Sequence, residues 1–541
     1  MKSTMMDFQL TLGPILERAV TLYPRVEIVS RRPDRSIERR TYAEVAARAR
    51  TLARALIGAG LRRGERVATL MWNHGVHLEA YFGIPLAGGV LHTLNLRLPP
   101  QQLGFIARHA ADRFVIVDEI LLPVLEKFIA EAPFERVFVH RACQTSPDPY
   151  EDYEGLLKTA PGGGALPELD ESEAAAMCYT SGTTGDPKGV VYSHRALVLH
   201  SMALAMADSL AVSQNDAAMP VVPMFHANAW GFPFVATMVG AKQVLPGPHV
   251  DAESLLDLCE REQVTIATGV PTVWMAVCAE LDKNPGRRRL APGLRLAVGG
   301  SAPAESLIRR FDAHHIRLIH AWGLTESTPI ASVCRLRPCL GAMSEDEQYA
   351  IRATQGMPVP FMEARVMNEN GAVPWDGETM GEVQLRGPWV AASYYNMPEL
   401  GEKWTKDGWL RTGDVVTVNE HGYLRIVDRT KDLIKSGGEW ISSVDLENAI
   451  VGHPGVKEAA VIAVPHPKWE ERPVAVIVAG EPKPTAEELD EFLAKRFAKW
   501  QVPDAYIFVD ELPHTSTGKL LKSALRERYR DYLNARSSTA K

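Results

Sequence analysis

Apolar positions along the first 170 residues fall into two alternating rhythms. Tyr42 to Ala59 (YAEVAARARTLARALIGA) places them at helical spacing, and Gly60 stands where a helix-ending glycine belongs. Arg66 to Met71, Val90 to Leu94 and Phe114 to Val117 are short apolar runs that read as buried strands. The alternation continues through Val264 to Thr268 and Leu294 to Val298. Strands separated by helices of this length predict a mostly parallel α/β architecture. From about Gly356 the runs shorten and turns crowd in, as at Asn368 to Gly371, Asp376-Gly377 and Asn419 to Gly422. That change predicts a β-rich subdomain closing the large part. After Asp428 comes the charged stretch Arg429-Thr430-Lys431-Asp432, and beyond it a short α+β pattern. Its elements are a helix over Ser443 to Val451, strands over Ala459 to Val464 and Val474 to Val478, and a helix over Ala486 to Phe497. The expected organisation is a large domain over 1–428, a hinge at 429–433 and a small mobile domain over 434–541, its tail from Ala535 disordered.

One stretch, Ala217 to Ala241, carries no formal charge and is long enough to ask whether it spans a membrane. Pro220, Pro223, Pro233, His226 and Asn228 would break or burden such a helix, so it reads as buried strand and loop. Met1 to Leu12 lacks the basic-then-apolar design of a signal peptide, which predicts a cytoplasmic protein with no integral membrane segment. The chain has 541 residues, 46% hydrophobic and 23% charged, so it is globular and holds several cores. A net charge of −7 argues against a nucleic-acid partner. Six scattered cysteines, with no C-x-x-C pair, fit a reducing compartment and give no structural zinc.

The densest chemistry lies at Tyr179 to Val190, YTSGTTGDPKGV. Glycines let backbone N–H groups approach an anion, hydroxyls add donors, and Lys188 adds a positive charge. The segment follows an expected strand, Ala174 to Cys178, and so reads as a phosphate-binding loop. It is not a Walker A loop, since no G-x-x-x-x-G-K-[ST] occurs in the chain.

This loop resembles the signature of the adenylate-forming superfamily, which includes acyl-CoA synthetases, peptide-synthetase adenylation domains and beetle luciferases. Seven further segments resemble that superfamily in order: Pro223 to Gly231 (PMFHANAWG), Gly299 to Pro303 (GGSAP), Ala321 to Ser327 (AWGLTES), Gly381 to Gly387 (GEVQLRG), Gly408 to Asp414 (GWLRTGD), Gly422 to Ile441 and Leu512 to Leu520 (LPHTSTGKL). The resemblance spans roughly residues 40 to 525. It implies activation of a carboxylic acid by ATP as an acyl adenylate, followed by transfer to CoA. Positioned cations and donors dominate such chemistry because charge builds on phosphate oxygens.

The residue roles come from the resemblance. Lys519 would bridge the carboxylate and the α-phosphate. Glu326, with Thr184, would hold Mg²⁺, for which hard oxygen ligands suit. Thr180, Ser181, Gly182, Thr183, Thr184, Gly185 and Lys188 would cradle phosphates. Gly300, Ser301, Ala302, Ala321, Trp322 and Gly323 would form the adenine slot, with Leu324 and Thr325 beside the phosphates. Asp414 would accept both ribose hydroxyls, and Arg429 would add a ribose or phosphate contact. His226, Ala227, Trp230, Gly299 and Gly323 would border the acid, His226 orienting it or gating its tunnel and Trp230 walling the pocket. Lys431 matches the family hinge. Lys435, Ser436, Gly437, Gly438 and Trp440 would meet CoA after the small domain rotates.

KSGGEWISSVDLENAI and GPWVAASYYNMPE resemble bacterial medium-chain fatty acyl-CoA ligases and 3-methylmercaptopropionate-CoA ligases. Phe234, Val235 and Ala236, in the expected pocket region, are apolar and offer no aspartate for a substrate amine, which argues against an amino acid. Two other readings are an acyl-AMP ligase that loads a carrier protein and a non-catalytic nucleotide-binding scaffold. A homodimer through the large domain is a further family expectation.

Overall fold

The computed structural model describes residues 1, 3–142, 149–180, 186–437, 439–514 and 520–533. Among them, four sheets carry the fold. The first runs, edge to edge, through Glu151–Asp152, Arg136–His140, Asp112–Asp118, Arg66–Leu70, Val90–Thr93, Ala174–Tyr179 and Gly189–Ser193. All its pairs are parallel except the last. The second has a parallel centre built of Arg317–Gly323, Arg295–Val298, Ile266–Gly269, Ala217–Pro220, Lys242–Leu245 and Glu27–Arg31, with antiparallel strands at both edges. A third, antiparallel sheet runs from Glu363–Asn368 to Leu424–Arg429, and the fourth begins at Ile434–Ser436. The α/β class with a β-rich third layer and a small α+β part is therefore the architecture observed.

Local rules explain the helices. Tyr42–Gly58 opens with a capping box: Thr41 Oγ1 accepts the Glu44 N–H, and the Glu44 carboxylate accepts the Thr41 N–H at 2.7 Å. Val45, Ala49, Leu52 and Leu56 form its buried stripe. Gly75–Leu86 is buried on every face and crosses it closely at Gly83, where an added Cβ would lie 2.8 Å from the Ala49 carbonyl oxygen.

The apolar stretch from Ala217 to Ala241 differs from the strand-and-loop expectation. After the strand Ala217–Pro220, its second half is the helix Phe232–Val239, uniformly apolar and hence without a helical rhythm. Between them, Ala227, Asn228, Ala229 and Trp230 all take positive φ, from 41° to 55°, making a left-handed turn. Each such non-glycine residue costs roughly 1–2 kcal/mol. Burial holds the turn: Ala229 is fully enclosed, and the Asn228 amide donates to Tyr81 Oη at 3.4 Å. The helix over Ala486 also stops early, at Leu493.

Candidate active site

Four chain crossings meet at the carboxyl ends of parallel strands, where open α/β sheets place ligand crevices. Ala174–Tyr179 delivers Thr180, Ala217–Pro220 leads to His226, Arg295–Val298 leads to Gly299, and Arg317–Gly323 runs into Glu326. They enclose a cavity of about 240 Å³. Thr180, Lys188, Gly300, Ala321, Trp322, Gly323, Leu324, Thr325, Glu326 and Arg429 line it together with His226, Ala227, Trp230 and Gly299. The structure thus gathers residues from 180 to 429 that the sequence analysis assigned to acid and nucleotide. Ser181, Gly182, Thr183, Thr184, Gly185, Gly438 and Lys519 lie outside the described residues.

Thr180 and Lys188, which flank 181–185, are tied to each other. The Thr180 N–H donates to the Lys188 carbonyl at 2.9 Å, and the Lys188 N–H donates back to Thr180 Oγ1 at 3.2 Å. Lys188 Nζ stands 5.5 Å over the Tyr394 ring. Tyr394 in turn donates its hydroxyl to Glu326 Oε1. Glu326 Oε2 takes no hydrogen bond among the described residues. Burial and the nearby Glu326 charge push the Tyr394 hydroxyl pKa well up, so it remains a donor. Glu326 is 8% exposed, an anionic oxygen held in a fixed place on the cavity wall. That donor chemistry fits Mg²⁺.

The acid-sized end is apolar. Leu204, Leu210, Pro329 and Ile330 form it with Trp230. Gly299 makes room for the indole, since a Cβ there would sit 3.0 Å from the Trp230 ring. Phe234, Val235 and Ala236 are not among its lining residues, against the sequence expectation. Phe234 packs on the Tyr81 and Phe82 rings, while Val235 and Ala236 are buried in a neighbouring core. Helix Phe232–Val239 turns them away from the cavity wall.

A second cavity, of about 280 Å³, adjoins the first through Gly300, Ala321, Trp322, Gly323 and Arg429. Ser301, Ala302, Asp414 and Lys431 line it, as do Lys522, Arg526 and the residues His514 and Leu520 that flank 515–519. Asp414 is buried: Trp322 Nε1–H donates to its Oδ2 at 3.1 Å, and Arg429 Nε lies 3.1 Å from Oδ1. Each carboxylate oxygen can still accept another hydrogen bond. The same partner explains why the Arg429 pKa is raised.

Lys435, Ser436, Gly437 and Trp440 line neither cavity. They belong to the hairpin Ile434–Ser436 and Glu439–Ile441, where Lys435 pairs with Glu470 at 3.2 Å and Trp440 is half exposed. Tyr394, Lys403 and Thr412, which also line the first cavity, were not singled out by sequence. Tyr394 lies in GPWVAASYYNMPE, the only signal that pointed near it.

Thr180, Lys188, Glu326, Trp322 and Asp414 thus meet an apolar recess across two adjoining cavities, the setting of an enzyme site. The chain belongs to the AMP-binding enzyme family, whose profile matches residues 16–395; the profile of the AMP-binding enzyme C-terminal domain matches 445–519. It is 51% identical to a "Long-chain-fatty-acid--CoA ligase" of Thermus thermophilus, over 98% of this chain and 97% of the relative. It is 43% identical to a "Medium-chain-fatty-acid--CoA ligase" of Ectopseudomonas oleovorans over 100% of both. A "3-methylmercaptopropionyl-CoA ligase" of Ruegeria pomeroyi is 42% identical over 98% of this chain and 100% of its own length. Among solved structures, the anthranilate CoA ligase AuaEII in complex with anthranoyl-AMP superposes with a TM-score of 0.86 at 25% identity, covering 99% of this chain and all of that one.

Proposed function

We propose that this enzyme activates a linear short- to medium-chain carboxylic acid with ATP as acyl-AMP and transfers the acyl group to CoA. The observation that carries this reading is the first cavity, where Thr180, Lys188 and Glu326 meet an apolar recess of Leu204, Leu210, Ile330 and Trp230. Three relatives named as acyl-CoA ligases support it. The acid's alkyl chain enters the recess, with His226 and Ala227 at its mouth. Trp322 and Asp414 hold the nucleoside. The loop from Thr180 to Lys188 and the 519 lysine position the phosphates, so the carboxylate oxygen lies in line with the α-phosphorus. Mg²⁺ would be held by Glu326 and Thr184 and would neutralise phosphate charge.

In this reading 1–428 is the large domain, 429–433 with Lys431 the hinge, and 434–541 the domain that rotates. One sheet ending at Arg429 and the next beginning at Ile434 support that division. Rotation would bring Lys435 to Trp440 to CoA. The described cysteines are all free, in keeping with a cytoplasmic enzyme; among the described residues no helix is long and apolar enough to cross a membrane. A homodimer completes the reading, and light scattering checks it.

The test is AMP release with ATP, Mg²⁺ and CoA over acids from acetate to dodecanoate, with 3-methylthiopropionate, benzoate and 4-coumarate added. A maximum at linear acids of middle length is expected. A peak at 3-methylthiopropionate (3-methylmercaptopropionate) would favour ligation of that acid as the main activity, an alternative that the 42% identical relative supports. Release of AMP with a carrier protein but not with CoA would overturn the acceptor.

A further inference from the structure

Lys403 lines the first cavity together with Lys188, Glu326 and Tyr394, from a segment that no motif marks. It ends the short 3₁₀ turn Pro398–Lys403. The next residue, Trp404, meets the Tyr394 ring edge-on at 5.1 Å and donates its indole N–H to the Ala391 carbonyl at 2.7 Å. Lys403 is thereby fixed beside the tyrosine that holds Glu326. Its ammonium donates to the Thr412 carbonyl oxygen at 3.2 Å. Among the described residues it forms no ion pair, although Glu326, Asp414 and Glu382 raise its pKa from a distance. Burial outweighs them, and the net shift is downward. An ammonium has three N–H bonds, and a half-buried one with donors unspent is stabilised by an anion placed beside it. Of the other cations lining the cavity, Arg429 is already engaged by Asp414, and Lys188 Nζ stands over the Tyr394 ring.

We infer that Lys403 binds the β- and γ-phosphates of ATP and the pyrophosphate they become. The inference rests on the ligase reading above. In that reaction a carboxylate oxygen bonds to the α-phosphorus while the bond from that phosphorus to the bridging oxygen breaks. The electron pair departs on pyrophosphate and no proton moves. Lys403 meets the charge that gathers on this leaving group.

Calorimetric binding of ATP, AMP and pyrophosphate in the presence of Mg²⁺ tests it on wild type, K403Q and K403R. K403Q keeps a donor for the Thr412 carbonyl but loses the charge. It is expected to weaken ATP and pyrophosphate about tenfold, as loss of a charged hydrogen bond does, and to leave AMP within twofold. K403R is expected to recover most of the loss. Parallel weakening of ATP and AMP would make Lys403 only a prop for the strand that carries Asp414, and would overturn the inference. Unchanged pyrophosphate binding would overturn it too. The measurement needs no acid. A wild type that binds ATP yet ligates none of the acids would remove the ligase reading and leave the Lys403 result legible.

Discussion

The large N-terminal body and the seam that joins it to the small domain differ in how their buried titratable groups respond to pH. In the body, His77, His194, His200 and His320 are buried, and burial depresses their pKa values to about 3 or 4. They are neutral parts of the core. The seam is built from charge instead. Asp428 accepts hydrogen bonds from the Ser443 N–H and hydroxyl at 2.7 and 2.6 Å; Lys522 donates to the same hydroxyl and lies 2.7 Å from Glu447. Arg526 pairs with Asp432, and Arg425 with Asp445 at 2.5 Å. Burial raises the Asp428 and Glu447 carboxyls, Glu447 to about 7, because Lys522 only partly offsets the lost hydration. Buried neutral histidines offer no charge for water to solvate, whereas a seam of compensated charges can part and let water solvate each half.

Acid gives the largest expected separation of the two. The four histidines bind protons in the unfolded chain near pH 6.5 but in the folded body only near 3 to 4. Their contribution is present at pH 7 and is lost as pH falls, about 2 kcal/mol for each histidine by pH 5. Glu447 runs the other way: its raised pKa contributes below 4.5, and that is lost as pH rises through about 7. Calorimetry from pH 7 to 5 should lower the body's transition and leave that of the small domain level or raised. Both falling together would break the contrast.

Within the body, Glu326→Gln keeps the Tyr394 contact but removes the anion. Acyl-AMP formation should fall on the order of 10²–10³-fold, with thermal unfolding little changed. Loss of folding instead would make Glu326 a core residue. At the seam, Lys522→Met leaves Asp428 and Glu447 without their shared cation. It should cut overall turnover about tenfold and make the 429–433 segment cleavable by protease, while the body's transition stays put. A shifted body transition would show that the two regions are one cooperative unit. The smallest effect belongs to Trp230→Ala, which should move the acid preference toward bulkier or longer chains by about fivefold, roughly 1 kcal/mol, the low end of what one misfit group costs. An unaltered acid profile would remove Trp230 from the recess.

Much of this was legible in the sequence where local rules act alone. The capped helix after Thr41, the short buried strands and the hairpin-rich third layer follow from period and turn chemistry. Residues from the matched motifs, Thr180, His226, Gly299, Trp322, Glu326 and Asp414, line two adjoining cavities. What stayed hidden depends on packing. Helix Phe232–Val239 has no polar face to reveal a period. The left-handed turn carries no glycine from Ala227 to Trp230, so nothing in its letters announces it. Phe234 falls in the expected pocket region by its place after the His226 motif, yet apolar residues there also fill cores, and only the turn decides which way it faces. Lys403 and Leu210 reach the cavity because strands from distant stretches cross there.

The recess that faces the acid has a consequence for divergence within the family. Leu204 and Leu210 come from the end of helix His194–Ala205 and the segment after it, whereas the nucleotide's neighbours come from strand ends and from the third sheet. Substitution at Leu204 or Leu210 can therefore reshape the recess without disturbing Glu326, Trp322 or Asp414, whereas Pro329 and Ile330 are tied to Glu326 by the chain. A lineage can trade one acid for another through drift at a few side chains, keeping the energy-coupling step intact throughout. The recess is a site of innovation set into machinery that need not change.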